Sequence, residues 1–237
     1  MVAASLEGLT RQYEMLTHNL ANASTAGYKR QSASFAQALE AAGAVLGGGS
    51  PPVAGETVTV DFSQGALRQT GSPLDLALDG KGFFVIETPE GELYTRNGSF
   101  RINSDRRLVD SDGRLVAGDG GPITLPEGAG MDKVAVAKDG SITAGSQNIG
   151  RLRIVDFPAT SALLPVGGGC FRPLEGLAAQ TAQGASVQQG FQESSNVSVV
   201  EEVVNLITVA RMYEANLKSV QTQDEGYKAL LQVAMGS

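Results

Sequence analysis

The sequence predicts an α+β protein: a central antiparallel β sandwich or irregular barrel, flanked by N- and C-terminal helices that pair as a coiled coil. Three observations carry that expectation. Apolar residues recur in three- and four-residue steps near both chain ends, they alternate with period two through the middle, and glycine-containing turn dipeptides punctuate that middle at short intervals. No helical pattern separates the short strands, which argues against a parallel α/β sheet.

A first helix is expected over about residues 3–22, with Leu6, Leu9, Tyr13, Leu16 and Leu20 on one narrow stripe. It breaks near Ala23 to Gly27, where Ser24, Thr25 and Gly27 supply turn chemistry. A second helical stretch is expected from Ser32 to Leu46, followed by Gly47-Gly48-Gly49-Ser50-Pro51-Pro52, which buries little and reads as a linker. Residues 1–46 thus form an N-terminal helical segment and 47–56 a Gly/Pro linker.

From Thr57 the period changes. Val58, Val60 and Phe62 share one strand face, and Leu74, Leu76 and Leu78 another. Further strands are expected at Phe83 to Glu87, Leu93 to Thr95, Ser99 to Asn103, Arg114 to Ala117, Ile123 to Leu125, Val134 to Ala137, Ser141 to Thr143 and Leu152 to Phe157. Gly80-Lys81-Gly82, Pro89-Glu90-Gly91, Asn97-Gly98, Asp112-Gly113 and Asp139-Gly140 mark turns between them. The β domain spans 57–175, and the polar Ala/Gln/Gly stretch 176–197 reads as a return linker.

The C-terminal helix, 198–237, opens with a capping box formed by Ser198 and Glu201. Its seam runs Val203, Leu206, Ala210, Tyr213, Leu217, Val220, Asp224, Tyr227, Leu231 and Ala234, with one carboxylate among the apolar residues. Such a stripe wants a partner helix. Two partners fit the pattern: the β domain of the same chain, or helices of neighbouring molecules.

Composition removes several function classes. With 42% apolar residues in 237 the chain can build a real core, and a net charge of −7 disfavours nucleic acid or an anionic membrane as partner. No run approaches the roughly 20 apolar residues of a membrane span, so no membrane insertion is expected. One cysteine, Cys170, excludes an internal disulfide, and with the single His18 it leaves no metal cluster. No acid–base or nucleophile constellation is recognisable, so neither an enzyme nor a cofactor is expected. The N-terminal Met1-Val2-Ala3-Ala4-Ser5 lacks the basic and apolar regions of a secretory signal, which by default places the chain in the cytoplasm.

Local motifs have plain structural readings. Asp110-Ser111-Asp112-Gly113 lacks the further ligands and closing glutamate of a calcium loop and reads as a hairpin turn. Gly80-Lys81-Gly82 opens no helix and reads as a turn rather than a phosphate loop. Asn19 and Asn22 suit helix-end capping, Tyr28 and Lys29-Arg30 a solvated turn, and Asn196-Val197-Ser198 a helix start rather than a glycosylation site.

Four motifs in order carry a resemblance. They are Asn19-Leu20-Ala21-Asn22 with Thr25 and Gly27-Tyr28-Lys29-Arg30; Pro73-Leu74-Asp75-Leu76-Ala77-Leu78-Asp79-Gly80-Lys81-Gly82-Phe83-Phe84; Tyr94-Thr95-Arg96-Asn97-Gly98-Ser99-Phe100; and Gln189-Gly190-Phe191 through Ser195-Asn196-Val197 and Val200-Glu201-Glu202. Together they make the chain resemble the bacterial flagellar rod and hook proteins, of the basal-body rod FlgF/FlgG type. Gly121 to Gly128, Gly150-Arg151-Leu152 and Ala210 to Glu214 look closer to the proximal-rod member, with the distal-rod member a near rival. Two departures stand out: a short N-terminus, and Asp105-Arg106-Arg107-Leu108 where the family has a glycine turn.

The resemblance implies a structural subunit of the rod, built into a helical assembly with other rod subunits and, as a further option, with copies of itself. It also implies export through the flagellum's own type III apparatus to a periplasmic rod, without a cleaved signal. The assembly residues it points to are Leu6, Leu9, Tyr13, Leu16, Asn19, Leu20, Asn22, Thr25, Gly27 and Tyr28 at one end. At the other they are Val203, Leu206, Ala210, Tyr213, Leu217, Val220, Tyr227 and Leu231. Without it, the residues equally allow a secreted β-rich adhesin or glycan-binding module on a helical oligomerisation stalk.

Overall fold

The computed structural model describes residues 2–33, 58–128, 130 and 133–235. The chain separates into two compact units: one holds Met1–Ala21, Gln31–Thr59 and Val197–Ser237, the other Asn22–Arg30 and Val60–Asn196. The architecture is α+β.

The first unit is built on two helices, α1 (Val2–Ala21) and α2 (Val199–Met235), with a strand pair of β1 (Gln31–Ala33) and β2 (Val58–Val60). α2 begins directly after Ser198, where the capping box places it, and the Glu202 N–H donates to the Ser198 carbonyl in its first turn. Ser32 and Ala33 lie in β1, so no helix starts at Ser32. The cause is local: the Asn19 side chain holds both backbone groups of Gln31, and Ser32 bonds Thr59 through its hydroxyl and its carbonyl, which fixes an extended chain. The rest of the expected helix and the 47–56 linker lie outside the described residues.

The second unit is β-rich, and its pairings are antiparallel. Its strands are β3 (Leu67–Gln69), β4 (Leu76–Asp79), β5 (Phe83–Thr88), β6 (Gly91–Thr95), β7 (Arg101–Ile102), β8 (Leu108–Val109), β9 (Leu115–Gly118) and β10 (Gly121–Pro122). They continue with β11 (Val134–Val136), β12 (Ser141–Ala144), β13 (Gln147–Arg151), β14 (Ile154–Asp156), β15 (Leu163–Gly167), β16 (Cys170–Pro173), β17 (Gln180–Thr181), β18 (Ser186–Gln189) and β19 (Phe191–Glu193). The largest sheet runs β15-β16-β6-β5-β9-β8-β7, with β14 also on β5, β17 on β14 and β10 on β9.

β5 organises the core because both of its faces are covered. Phe84 and Ile86 pack with Leu76, Leu78, Phe100 and Val116 on one side, while Phe83 and Val85 pack with Tyr94, Phe157 and Phe171 on the other. A strand buried on both faces must read as the continuous apolar run Phe83 to Ile86 rather than as an alternation. Edge-to-face ring contacts, Phe84 on Phe100 at 5.1 Å and Tyr94 on Phe157 at 4.8 Å, fix the packing.

Three expectations need correction. The sheets do not close into a barrel: the strands are two to six residues long, they divide among separate sheets, and register shifts interrupt β12–β13 and β15–β16. The stretch 176–197 is no linker through its length, since β18 pairs with β4 and β19 with β3. Ile123 to Leu125 buries Ile123 and Leu125 in the core but is not a ladder strand, the neighbouring pairing falling on β10.

The Asp105 to Leu108 departure also has a structural account. Arg106 takes a left-handed backbone, φ 60°, the conformation a glycine would adopt without strain. Its guanidinium offsets that cost by donating from Nε to the Leu125 carbonyl at 3.1 Å and from Nη2 to the Pro126 carbonyl at 2.6 Å.

Candidate assembly site

In the helical unit, α1 packs on α2 with the last turn of the first against the first turn of the second. Asn19, at zero exposure, makes the junction. Its Oδ1 accepts from the Gln31 N–H at 2.9 Å, its Nδ2 donates to the Gln31 carbonyl at 2.7 Å, and the same Nδ2 lies 3.4 Å from Glu202 Oε2. Asn19 therefore pairs with β1 as a strand would, and also reaches α2. Its reading as a helix-end residue missed these two partners.

On α1, Leu16 is buried and Leu6, Leu9 and Leu20 are half-buried, while Tyr13 is exposed. On α2 the covered face follows Glu202, Leu206, Val209, Asn216 and Val220, with Glu202 and Val209 buried. The sequence seam lies about one position away. Leu206, Ala210 and Val220 of that seam are half-buried, whereas Val203 is 37% exposed, Tyr213 38% and Leu217 40%. The covered face takes in two polar residues, Glu202, which Asn19 reaches, and half-buried Asn216, which an apolar pattern cannot register. Tyr227 and Leu231 lie in α2 beyond the residues whose side chains are described.

This rotation leaves an apolar patch in the first turns of α2: Val199, Val200, Val203, Val204 and Ile207 are all exposed, Val200 by 75%. Five exposed β-branched residues are costly twice over. Each lowers helix propensity by up to about 0.7 kcal/mol relative to alanine, and each presents oil to water.

In the β unit, residues 22–30 form a strap. Thr25 starts it, donating from its N–H to the Asn22 carbonyl and from its hydroxyl to Asn22 Oδ1, and the Gly27 N–H donates to the Glu193 carbonyl at 2.7 Å. Gly27 has φ 68°, and a Cβ there would meet the backbone of Asn97 and of Arg96, at 2.6 Å from the Arg96 carbonyl carbon and closer still to the Asn97 nitrogen. Only glycine fits. Tyr28 is buried rather than solvated as a surface turn would leave it, and Arg30 closes the strap: its N–H donates to Asn196 Oδ1 at 2.8 Å, and its carbonyl accepts from the Asp61 N–H.

Lys29 is the least expected element. Far from a solvated turn residue, it is 1% exposed, and its Nζ donates to Glu193 Oε1 and to the Ser63 carbonyl, both at 2.6 Å. Glu193 Oε1 also accepts from the Gly65 N–H at 2.9 Å. Burial pushes the Lys29 pKa down, and the Glu193 carboxylate opposes that shift. A second cation, Arg96, is 4% exposed, lies over the Phe83 ring at 5.4 Å, and brings Nη1 to 3.6 Å from Glu193 Oε2. Its pKa too is lowered, by burial first, with Glu193 and Asp156 opposing. One carboxylate thus serves two buried cations drawn from different sequence motifs. Glu193 carried no sequence signal beyond its place after Gly190-Phe191-Gln192.

Other candidate chemistry dissolves into structure. The Asp110 carboxylate accepts from the N–H groups of Asp112 and Arg114 and from Arg114 Nε, as a turn-former does. Cys170 is buried, and burial pushes its thiol up, away from reactivity. Among the described residues no group of three or more His, Cys, Asp or Glu could hold a metal, and no helix is long and apolar enough to cross a membrane.

Two family models match this chain, one in the β unit and one running from β18 into α2. Residues 77–144 match the flagellar hook protein FlgE/F/G D1 domain, and residues 188–233 match the flagellar basal body rod FlgEFG protein C-terminal domain. The chain is 34% identical to flagellar basal-body rod protein FlgF of Caulobacter vibrioides, over 92% of this chain and 89% of that relative. It is also 34% identical to the rod protein FlgG of Buchnera aphidicola subsp. Schizaphis graminum, over 92% of each, and 29% identical to FlgG of Bacillus subtilis, over 94% of this chain and 93% of the relative.

Proposed function

The chain belongs to the flagellar basal-body rod protein family and is a structural, non-enzymatic subunit of the flagellum's basal body, and we propose that it joins the rod through the exposed faces of α1 and α2. Membership makes other rod and basal-body components its partners. The apolar patch on α2 carries the proposal about mode. Covering it recovers about 25 cal/mol for each Å² removed from water, a gain that docking of a neighbouring helix would supply. In this reading Val203, Tyr213 and Leu217 face neighbours, while Leu16, Asn19 and Leu206 hold α1 on α2 in the manner of a short coiled coil.

Contacts that repeat head to tail without closing generate a helical filament, the form a torque-transmitting shaft requires. The helices would line its inner wall and the β unit would supply outer contacts. Whether the neighbours are copies of this chain or other rod subunits, the same patch would be used. The proximal-rod assignment rests on the stretches Gly121 to Gly128, Gly150 to Leu152 and Ala210 to Glu214, since FlgF and FlgG relatives match equally well. A periplasmic position and delivery through the flagellar export apparatus complete the proposal.

The test replaces Val200 and Val204 together by Asp. Both side chains are exposed, so the monomer's melting should hold within about 0.5 kcal/mol while assembly into basal bodies and motility are lost. Normal incorporation of the variant would reject the mode of assembly.

A further inference from the structure

We propose that Arg96 is a stand-in partner for the Glu193 carboxylate, which lets the strap 22–30 undock from the β unit and return without unfolding it. The argument begins with an imbalance. Among the described residues Arg96 Nε, Arg96 Nη1 and Glu193 Oε2 are buried and carry no hydrogen bond, although Nη1 and Oε2 lie only 3.6 Å apart. Buried charged groups are ordinarily satisfied, and leaving them so is costly. While the strap is docked, Lys29 takes Oε1 and the best of the pairing, and Arg96 is held just beyond hydrogen-bond distance.

Removing one partner of a buried ion pair normally strands the other charge and destabilises the whole fold. Here it does not. When Lys29 leaves, its ammonium passes into water, and Arg96 closes on the carboxylate through the donors it has in reserve. Glu193 keeps one further bond in either state, from the Gly65 N–H, which belongs to the β unit and stays. The other strap attachments include the Gly27 N–H on the Glu193 carbonyl, both backbone groups of Arg30, on Asn196 and on Asp61, the Lys29 Nζ on the Ser63 carbonyl, and the buried Tyr28 side chain. None of these strap residues belongs to the two apolar clusters that cover the faces of β5. Strap and sheet are therefore separable, and Arg96 is what makes them so.

Native-state hydrogen exchange on the full chain tests this, with Lys29→Met and Arg96→Met as variants. In the unmodified protein the Gly27 and Arg30 amides should exchange about a hundred-fold faster than the β5 amides, through an opening that leaves β5 protected. In Lys29→Met the strap amides should exchange about ten-fold faster again with β5 unchanged, and a crystal structure should show Arg96 within hydrogen-bond distance of Glu193 Oε2. In Arg96→Met the separate opening should vanish, so that strap and β5 amides exchange together. Common exchange rates in the unmodified protein, an Arg96 that stays at 3.6 Å or moves away in Lys29→Met, or global unfolding of Lys29→Met would each overturn the proposal.

Discussion

Gly27 and Gly71 offer a matched pair that separates backbone conformation from crowding. Both have positive φ, 68° and 75°, so alanine at either position meets a similar conformational cost, on the order of 1 kcal/mol. Their surroundings differ. A Cβ on Gly71 meets nothing within 4 Å, whereas one on Gly27 runs into the backbone of Arg96 and Asn97, a segment fixed by the Thr95 hydroxyl on the Asn97 N–H and by the Asn97 side chain on the Ser99 N–H. Backbone cannot swing aside, so in Gly27→Ala the strap moves. It then loses the Gly27–Glu193 and Arg30–Asn196 hydrogen bonds, about 0.5–1.5 kcal/mol each, and the short Lys29–Glu193 contact on top of them.

The excess over Gly71→Ala should be on the order of 3 kcal/mol, which corresponds to roughly a hundred-fold in an exchange equilibrium. Hydrogen exchange at Tyr28 and Arg30 reads it directly, with urea unfolding as the global control. Gly27→Ala should strip protection from these amides, and Gly71→Ala should leave them protected. Equal effects of the two substitutions would show that Arg96 and Asn97 do not confine the strap, and would undo the reasoning.

Other outcomes follow from the remaining buried groups. Asn19→Leu leaves the Gln31 N–H and carbonyl without the bonds Asn19 makes, and should cost about 2–3 kcal/mol in urea unfolding followed by the helical signal at 222 nm; a loss under about 0.5 kcal/mol would dismiss the junction. Tyr94 is pushed up to about 12 by burial and by its hydrogen bond to the Glu92 carboxylate. Its folded pKa lies above the ordinary value of about 10, so its contribution is complete below pH 10 and is lost as pH rises toward 12. Absorbance titration should show one of the five tyrosines ionising last, and Tyr94→Phe should remove that late step.

Much of the architecture was legible because it follows from spacing. α1 and α2 announce themselves by three- and four-residue steps and by Ser198, and β5 and β6 by an apolar run bounded by glycine turns. What stayed hidden is polar. β18 and β19 contain Gln188, Gln189, Gln192 and Glu193, and the Gln189 side chain substitutes for ladder bonds by donating to the Pro73 and Val134 carbonyls and accepting from the Val136 N–H. Hydrophobic patterning cannot see such a strand. The rotation of α2 toward Glu202 and the burial of Lys29 have the same origin, a charge whose partner lies far along the chain. Glu202 sits 183 positions from Asn19, and Glu193 164 from Lys29.

The family resemblance supplied the function that the residues alone left open between a rod subunit and a stalked adhesin. It did not locate the binding surface. The proposed surface consists of Val199, Val200, Val203, Val204 and Ile207, β-branched residues held in water at the start of a helix. Photo-cross-linking from positions 204 and 217 in isolated basal bodies tests it most directly, with exposed position 147 as control. Cross-links from the two α2 positions to a neighbouring rod subunit, with the control position failing to reach that subunit's helices, are the expected result; α2 positions that link only within their own chain would contradict it.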